Sequence, residues 1–250
     1  TDLSKKTTSK MKIAVIGGGS TYTPELVKGF LDRVGSLPLD ELWLMDTDAE
    51  RLAIVGGLAQ RMVKTRGEPF KVFLSQNQQE AIANSMYVIS QLRVGKMHAR
   101  REDEYLGQRH GLIGQETTGV GGMAKALRTI PVILDIADDI RRLAAGAFFL
   151  NFTNPSGLVT EALMRYAPAI QAAGLCNVGI TTKMEILERL EKTTGFPIDA
   201  ERAYLDTLGL NHLSWHRGFT VDGEELWPKI FPAFVDSLKK EEESEWDVNT

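Results

Sequence analysis

Short apolar stretches alternate, as far as residue 193, with longer stretches in which apolar residues recur every three or four positions. The short runs, rich in β-branched residues, predict buried strands, and the longer spacing predicts helices between them. We predict six strands, at 11–16, 41–46, 70–74, 86–92, 147–152 and 175–180. The predicted helices are 24–33, 49–66, 78–83, 96–109, 125–145, 158–166 and 183–193. This alternation is typical of an α/β fold, a doubly wound parallel sheet with helices on both faces.

The pattern changes after about residue 180. Two β-like stretches, 203–210 and 215–221, precede Asp222-Gly223, a turn signal that favours antiparallel pairing with the next segment of the chain. We therefore predict one domain over 11–180 and the start of an α+β domain over 181–250. Residues 1–10 are polar and lack the apolar stretch of a signal peptide, which predicts a disordered leader.

Composition and charge indicate which kinds of binding partner the chain is not expected to have. The formal net charge of -4 gives no sign of a nucleic-acid partner or an anionic membrane. No apolar run approaches the roughly 18 residues of a membrane span. Cys176 is the only cysteine, which excludes an intramolecular disulfide and favours a reducing, cytoplasmic setting.

The glycine triplet after the first predicted strand is a candidate nucleotide-binding turn. Gly17 and Gly19 occupy the first two glycine places of a dinucleotide fingerprint, and Tyr22 stands at the third. A backbone without Cβ lets a pyrophosphate approach the helix N-terminus, whose free N–H groups attract anions. Asp46 ends the second predicted strand, where a carboxylate accepts ribose hydroxyls and repels a 2′-phosphate. A plain strand-to-helix turn also uses glycine, but strand, helix and terminal acid in this order favour NAD binding.

Polar residues follow the later strands, where ligands of open α/β sheets gather. Arg93 follows the fourth predicted strand and Asn154 the fifth, and Cys176-Asn177 lies on the sixth. An arginine at such a position can hold a phosphate or carboxylate with two hydrogen bonds. The alternative interpretation is that Arg93 is an ordinary surface arginine and that Asn154 belongs to a common asparagine-proline turn. Convergence at equivalent strand ends favours a binding site.

Cys176 and His212 are a candidate pair of metal ligands. A thiolate and an imidazole together suit a borderline transition metal such as Mn²⁺, Fe²⁺, Co²⁺ or Zn²⁺. Their spacing matches no short metal motif, and a buried cysteine and a turn histidine are the alternative interpretations. The spacing of Cys176 and His212 along the chain is not enough to assign a metal site.

Six sequence blocks carry a resemblance to a known family. They are VIGGGSTYTPEL at 15–26, LRVG at 92–95, GQETTGVGG at 114–122, NFTNPSG at 151–157, CNVG at 176–179 and GLNHLSW at 209–215. In this order they resemble glycoside hydrolase family 4, the NAD- and metal-dependent glycosidases, and are most similar to its 6-phospho-β-glucosidases. The resemblance implies a Rossmann-like core similar to lactate and malate dehydrogenases. It also implies that 11–180 bind NAD and that 181–250 begin the substrate and metal domain.

The resemblance assigns residues to the cofactors. Gly17, Gly19 and Ser20 would contact NAD, with Asp46 at the ribose. Cys176 would be one ligand of a divalent metal, most typically Mn²⁺.

The remaining roles concern the second metal ligand and the substrate. His212 would be the other metal ligand. Arg93 and Asn154 would hold the phosphorylated sugar, and Asn177 is typical of members that act on β-glucosides. The substrate would be a phosphorylated disaccharide or an aryl β-glucoside 6-phosphate.

The implied reaction is hydrolysis of 6-phospho-β-glucosides by NAD⁺- and metal-assisted oxidation at C3, elimination and water addition. Family members continue past residue 250, so the chain is expected to be truncated. The tyrosine base would lie in the missing part, and the activity of this chain alone is therefore open. The full-length protein would be a homo-oligomer.

Two functions from other classes stay open. A dehydrogenase of small 2-hydroxy acids would share the sheet and the Asn154-Pro155 turn, but it would need a histidine–carboxylate pair that is not evident. A catalytically incomplete NAD-binding fragment is the second alternative. Glu116, in the glycine-rich stretch 111–122 that we interpret as a loop, is a candidate to orient a metal-bound water or a sugar hydroxyl, or to cap the next helix.

Overall fold

The computed structural model describes residues 10–210 and 213–240 of the chain. Contacts within it form two compact units, Thr1–Leu175 and Cys176–Thr250. The domain change predicted at residue 180 lies within the second unit. In the described ranges, no helix is both long enough and apolar enough to cross a membrane.

The first unit is built on a parallel sheet of six strands, in the order β3-β2-β1-β4-β5-β6. This is the strand order of a doubly wound dinucleotide-binding domain, so the predicted Rossmann-like fold is confirmed. The strands are β1 Lys12–Ile16, β2 Glu41–Met45, β3 Lys71–Ser75, β4 Tyr87–Ser90, β5 Phe148–Asn151 and β6 Gln171–Gly174.

Six helices connect these strands. They are α1 Thr23–Leu31, α2 Ala49–Thr65, α3 Gln78–Ile82, α4 Lys96–Arg109, α5 Gly119–Leu143 and α6 Ser156–Tyr166. Local sequence sets several of their starts. Asp48 caps α2 by accepting a hydrogen bond from the Arg51 amide at 3.1 Å, and proline stands in the first turn of α1.

Two hydrophobic cores lie on opposite faces of this sheet. Neighbouring residues of β1 alternate between them, with Ile13 and Val15 in one core and Ala14 and Ile16 in the other. Phe149 of β5 is fully buried in the second of these cores. Burying one large apolar side chain contributes about 1.5–3 kcal/mol, so packing on both faces fixes the positions of the strand ends.

Helix α5 begins at Gly119, six residues before the predicted start at 125. Glycines misled the prediction, because they serve close packing here rather than a loop. A Cβ on Gly121 would lie 2.2 Å from the Gln115 carbonyl oxygen and 2.8 Å from that of Asp103. The predicted loop 111–122 was therefore wrong at its end, and its last residues form the first turn of α5.

The sixth strand was predicted at 175–180 and lies instead at Gln171–Gly174. Within the described residues it pairs with β5 alone, and its residues are exposed or half-buried. Such an edge strand lacks the apolar run on which the prediction relied. Cys176 and Asn177 consequently follow the strand rather than lying on it.

The second unit combines helices with an antiparallel sheet of three strands. Its core contains Leu187, Ala203, Leu205 and Phe219. Positive φ angles at Asp222 and Gly223 form the turn between the second and third strands, as predicted. The elements are α7 Val178–Thr194, a 3₁₀ turn Ala200–Arg202, β7 Ala203–Leu210, β8 Leu213–Val221, β9 Glu224–Glu225 and α8 Trp227–Lys240.

Candidate active site

The glycine triplet forms a tight turn between β1 and α1. The amides of Gly17 and Gly18 both donate to the Met45 carbonyl oxygen, at 2.9 and 2.7 Å. Gly17 has a φ of +94°, and a Cβ there would lie 2.8 Å from the backbone oxygen of Gln91. Only glycine fits this position, because the conformation is left-handed and the β4 end is too close.

Asp46 closes this turn. Its Oδ2 accepts a hydrogen bond from the Gly19 amide at 2.9 Å, and its Oδ1 accepts one from the Asp48 amide at 2.9 Å. The guanidinium of Arg51 donates to the Gly19 carbonyl at 3.1 and 3.2 Å. The structure therefore brings Asp46 and the turn together, as their places at two neighbouring strand ends predict.

The N-terminus of α1 faces this turn without a side-chain cap. Ser20 is half-buried beside it, and its Oγ accepts a hydrogen bond from the Tyr22 amide at 3.3 Å. Tyr22, at the third glycine place, is exposed and packs edge-on against Phe152 with 5.9 Å between ring centroids. Backbone amides at an uncapped helix start, beside glycines without Cβ, suit the pyrophosphate of a dinucleotide.

A cluster of charges follows the end of β4. We call Arg93, Arg100, Lys125 and Glu116 the Glu116 cluster. Arg93 Nη1 donates to Glu116 Oε2, Arg100 Nε lies 3.1 Å from the same oxygen, and Lys125 Nζ lies 3.2 Å from Oε1. Arg100 also pairs with Glu104 at 2.8 Å, so the five groups carry one surplus positive charge. A half-exposed arginine in such a cluster suits an anionic ligand.

The cluster also shifts the pKa values of its members. Burial alone raises the pKa of Glu116, but the Arg93 hydrogen bond and the charges of Lys125 and Arg100 hold it below its usual range. Burial lowers the pKa of Lys125, and the charge of Glu116 opposes that effect. The carboxylate therefore stays ionised because three cations surround it.

Buried hydrogen bonds fix the loop after β5. Asn151 Oδ1 accepts from Ser90 Oγ at 2.8 Å and from the Thr153 amide at 3.2 Å. Thr153 Oγ1 in turn accepts from the Leu92 amide at 3.1 Å, which ties this loop to the one after β4. Asn154 follows directly and is half-buried. Arg93 and Asn154 are thus held on the loops of two neighbouring strands.

The second unit carries the other candidate residues. Cys176 is a half-buried free thiol, and Asn177 is exposed at the start of α7 without a capping hydrogen bond. His212 lies outside the described residues. Within 10–210 and 213–240, no three histidine, cysteine, aspartate or glutamate side chains are placed to hold a metal. A thiolate–imidazole pair still fits a borderline transition metal by its donor chemistry, so the metal site stays a prediction.

Comparison with known proteins gives the family. Residues 12–192 match the sequence profile of the family 4 glycosyl hydrolases. The chain belongs to this family. A probable 6-phospho-β-glucosidase of Bacillus subtilis strain 168 is 43% identical to this glycosyl hydrolase over 247 residues, covering 96% of this chain and 54% of the relative. The chain therefore spans about half the length of the curated relatives it matches.

Solved structures resemble this family 4 glycosyl hydrolase as well. The 6-phospho-β-glucosidase of Thermotoga maritima, with manganese, NAD⁺ and glucose-6-phosphate, has a TM-score of 0.81 at 42% identity. The likeness covers 90% of this chain and 53% of that one. Lactate dehydrogenase of Eimeria maxima matches 93% of this chain and 64% of its own with a TM-score of 0.63 at 13% identity, which shows a shared fold alone.

Two members of the Glu116 cluster were missed by sequence reasoning. Arg100 belongs to a helix so rich in charge that nothing distinguishes it there. Lys125 interrupts the buried face of α5, next to Ala126 and one turn before Thr129. A lysine on a buried helix face was the available signal, but it was hidden because 125 was taken as the start of the helix.

Proposed function

We propose that this family 4 glycosyl hydrolase, in a protein that carries the whole catalytic domain, cleaves 6-phospho-β-glucosides with NAD⁺ and Mn²⁺. One observation carries the proposal. A glycine cradle closed by Asp46 and a cationic cluster at Arg93 occupy the same edge of one sheet, in a chain of this family. The Thermotoga maritima relative was solved with manganese, NAD⁺ and glucose-6-phosphate, which supports both cofactors and a phosphorylated glucoside.

NAD⁺ fits the turn between β1 and α1. When bound, it supplies a reversible hydride acceptor for C3 of the sugar, while the metal polarises the oxidised sugar and so acidifies C2. Gly17, Gly19 and Ser20 would let the pyrophosphate approach the backbone. Asp46 would accept the ribose hydroxyls and disfavour a 2′-phosphate.

Residues further along the chain would hold the sugar and the metal. Arg93 would bind the 6-phosphate and Asn154 a neighbouring polar group of the sugar. Cys176 and His212 would hold the metal, and Asn177 selects the β-glucoside. No tyrosine of this chain stands in the sequence context expected for the C2 base, so the base is not assigned.

We also propose a cytoplasmic location and a homo-oligomeric assembly. The single cysteine supports the cytoplasmic location, because a reducing compartment would keep the proposed metal ligand Cys176 from being oxidised. The family resemblance supports the homo-oligomeric assembly.

The decisive assay uses the full-length protein and an aryl 6-phospho-β-glucoside. We expect phenol release that requires both NAD⁺ and Mn²⁺, without build-up of NADH, because the hydride is returned in each turnover. The α-anomer and the unphosphorylated glucoside serve as controls. Release from the α-anomer alone would overturn the role of Asn177.

Two other results would replace the proposal. NADH accumulation with a small 2-hydroxy acid and no metal requirement would identify a dehydrogenase. NAD⁺ binding without cleavage of any glycoside would identify a non-catalytic NAD-binding protein. The structural likeness to lactate dehydrogenase supports the fold, and at 13% identity it does not support the same reaction.

Asp46→Asn is expected to weaken NAD⁺ binding about 10- to 100-fold, because hydrogen bonds to a charged group are worth about 1.5–3 kcal/mol. The preference for NAD⁺ over NADP⁺ should fall as well, since the repelling charge is gone. Calorimetric titration with both nucleotides measures the two effects. Asp32→Asn, which removes a surface carboxylate paired with Lys28, is the matched control. Unchanged NAD⁺ affinity in Asp46→Asn would place the ribose elsewhere.

A further inference from the structure

Lys125 is a buried cation to which the proposed reaction gives no role. Its side chain is 4% exposed, and its ammonium lies 3.2 Å from Glu116 Oε1. A buried ion pair adds little net stability compared with apolar residues of the same volume, which favours a role in the site. The partner of this lysine is itself 13% exposed and contacts Arg93, which is 32% exposed.

The two oxygens of Glu116 have different partners. Oε1 faces Lys125, whereas Oε2 accepts from Arg93 Nη1 and lies 3.1 Å from Arg100 Nε. An arginine and a carboxylate left to themselves favour a two-bond fork that uses both oxygens. Lys125 lies 3.2 Å from Oε1, the oxygen that such a fork would need, and competes with Arg93 for it. Arg93 is thereby attached to Glu116 through a single nitrogen, although its guanidinium carries five N–H donors.

We propose that Lys125 is a positioning residue that holds Glu116 Oε1 and so leaves most of the Arg93 guanidinium available to the phosphate group of the substrate. The identity of that anion rests on the proposed function. The positioning itself rests on the geometry of the cluster. Lys125 does not touch the substrate in this arrangement and acts through Glu116.

Charges from each neighbouring element face Glu116. Arg93 comes from the loop after β4, Arg100 and Glu104 from α4, and Lys125 from α5. The cations together hold the pKa of Glu116 below its usual range against the effect of burial. Removing the Lys125 charge therefore raises the pKa of Glu116. The ionic interaction of Glu116 with Arg93 is present above the pKa of Glu116 and is lost as the pH falls through that pKa. In a variant in which this pKa is higher, the interaction would be lost at a higher pH.

The test uses Lys125→Met in the full-length enzyme, with Lys125→Arg as the conservative variant. We expect Lys125→Met to raise KM for the aryl 6-phospho-β-glucoside about tenfold with kcat little changed, because phosphate contacts act in the ground state and the transition state alike. The Kd of glucose 6-phosphate should rise by the same factor, and Lys125→Arg should restore both. Lys192→Met, at an exposed lysine paired with Glu188, is the matched control and should change neither.

A double-mutant cycle with Glu116→Gln separates positioning from packing. The effect of Lys125→Met should disappear in the Glu116→Gln background, because the carboxylate through which it acts is gone. In Lys125→Met alone, the excess of KM over the wild-type value should shrink as the pH falls, because protonation of Glu116 breaks the interaction that withdraws Arg93 from the phosphate. The substrate phosphate titrates in every variant, so the comparison with the wild type removes its contribution. Equal losses in both backgrounds, or an unchanged KM, would overturn the proposal.

Three further measurements keep the test decisive. Circular dichroism and NAD⁺ affinity verify folding, and Lys125→Gln replaces the methionine variant if that variant does not fold. An infrared titration follows the protonated carboxyl band of Glu116, identified by its loss in Glu116→Gln. If even the wild type cleaves no 6-phosphoglucoside, the proposed function fails. The infrared titration then still decides on Lys125: a band appearing at higher pH in Lys125→Met supports its hold on Glu116, and an unshifted band refutes it.

Discussion

Arg93→Ala is expected to lower kcat/KM for a 6-phospho-β-glucoside about 100- to 1000-fold, equivalent to about 3–4 kcal/mol. Two effects add to this loss. The proposed phosphate ligand disappears, and the carboxylate of Glu116, which is 13% exposed, loses the hydrogen bond that does most to keep it ionised. Steady-state kinetics on the full-length enzyme with NAD⁺ and Mn²⁺ measure the change.

Arg101→Ala is the matched control for this prediction. Arg101 is a 62% exposed arginine on α4 that lies 3.6 Å from the Glu102 carboxylate, remote from the Glu116 cluster in its contacts. Its removal should leave kcat/KM within about twofold, because surface ion pairs contribute about 0–1 kcal/mol. An Arg93→Ala enzyme as active as Arg101→Ala would show that the phosphate binds elsewhere.

Gly17→Ala is expected to abolish measurable NAD⁺ binding and to lower the free energy of unfolding by about 2–6 kcal/mol. A φ of +94° is strained for any residue with a Cβ, and that atom would lie 2.8 Å from the Gln91 backbone oxygen. Left-handed strain costs about 1–3 kcal/mol, and overpacking costs about as much again. Denaturant unfolding and calorimetric titration with NAD⁺ measure the two effects.

Gly67→Ala separates backbone strain from crowding. Gly67 also has a left-handed φ, of +83°, but no atom lies within 4 Å of a Cβ built there. This variant should lose only the conformational contribution, about 1–2 kcal/mol, and should keep its NAD⁺ affinity. Equal destabilisation of the two variants, with NAD⁺ binding retained in both, would show that the turn tolerates a side chain.

Much of the first unit could be predicted from the sequence, because each buried strand of a parallel sheet is a short apolar run between helices. Five of the six predicted strands overlap β1 to β5. The sixth failed because β6, with the sequence QAAG, is an exposed or half-buried edge strand without an apolar run, whereas the other edge strand, β3, has one. Helix α5 was predicted too short because Gly121 and Gly122 look like loop residues. Gly121 is instead required by the close approach of Asp103 in α4, and Gly122 by that of the Thr117 backbone.

The sequence could bring candidate residues together only where they lie at strand ends. Gly17, Gly19 and Asp46 could be placed together because parallel strands end at the same edge of the sheet. Lys125 could not, since its contact with Glu116 depends on how α5 packs and not on any spacing along the chain. Contacts between side chains of different helices leave little trace in a single sequence.

The hydrogen bonds of Asp46 have a consequence for the energetics of ligand capture. The carboxylate is already oriented by the amides of Gly19 and Asp48 before any cofactor arrives. Its rotamer entropy is therefore lost when the chain folds rather than when a nucleotide docks. If Asp46 has its proposed role, such preorganisation favours rapid association, because the nucleotide would meet a carboxylate that needs little rearrangement to accept it.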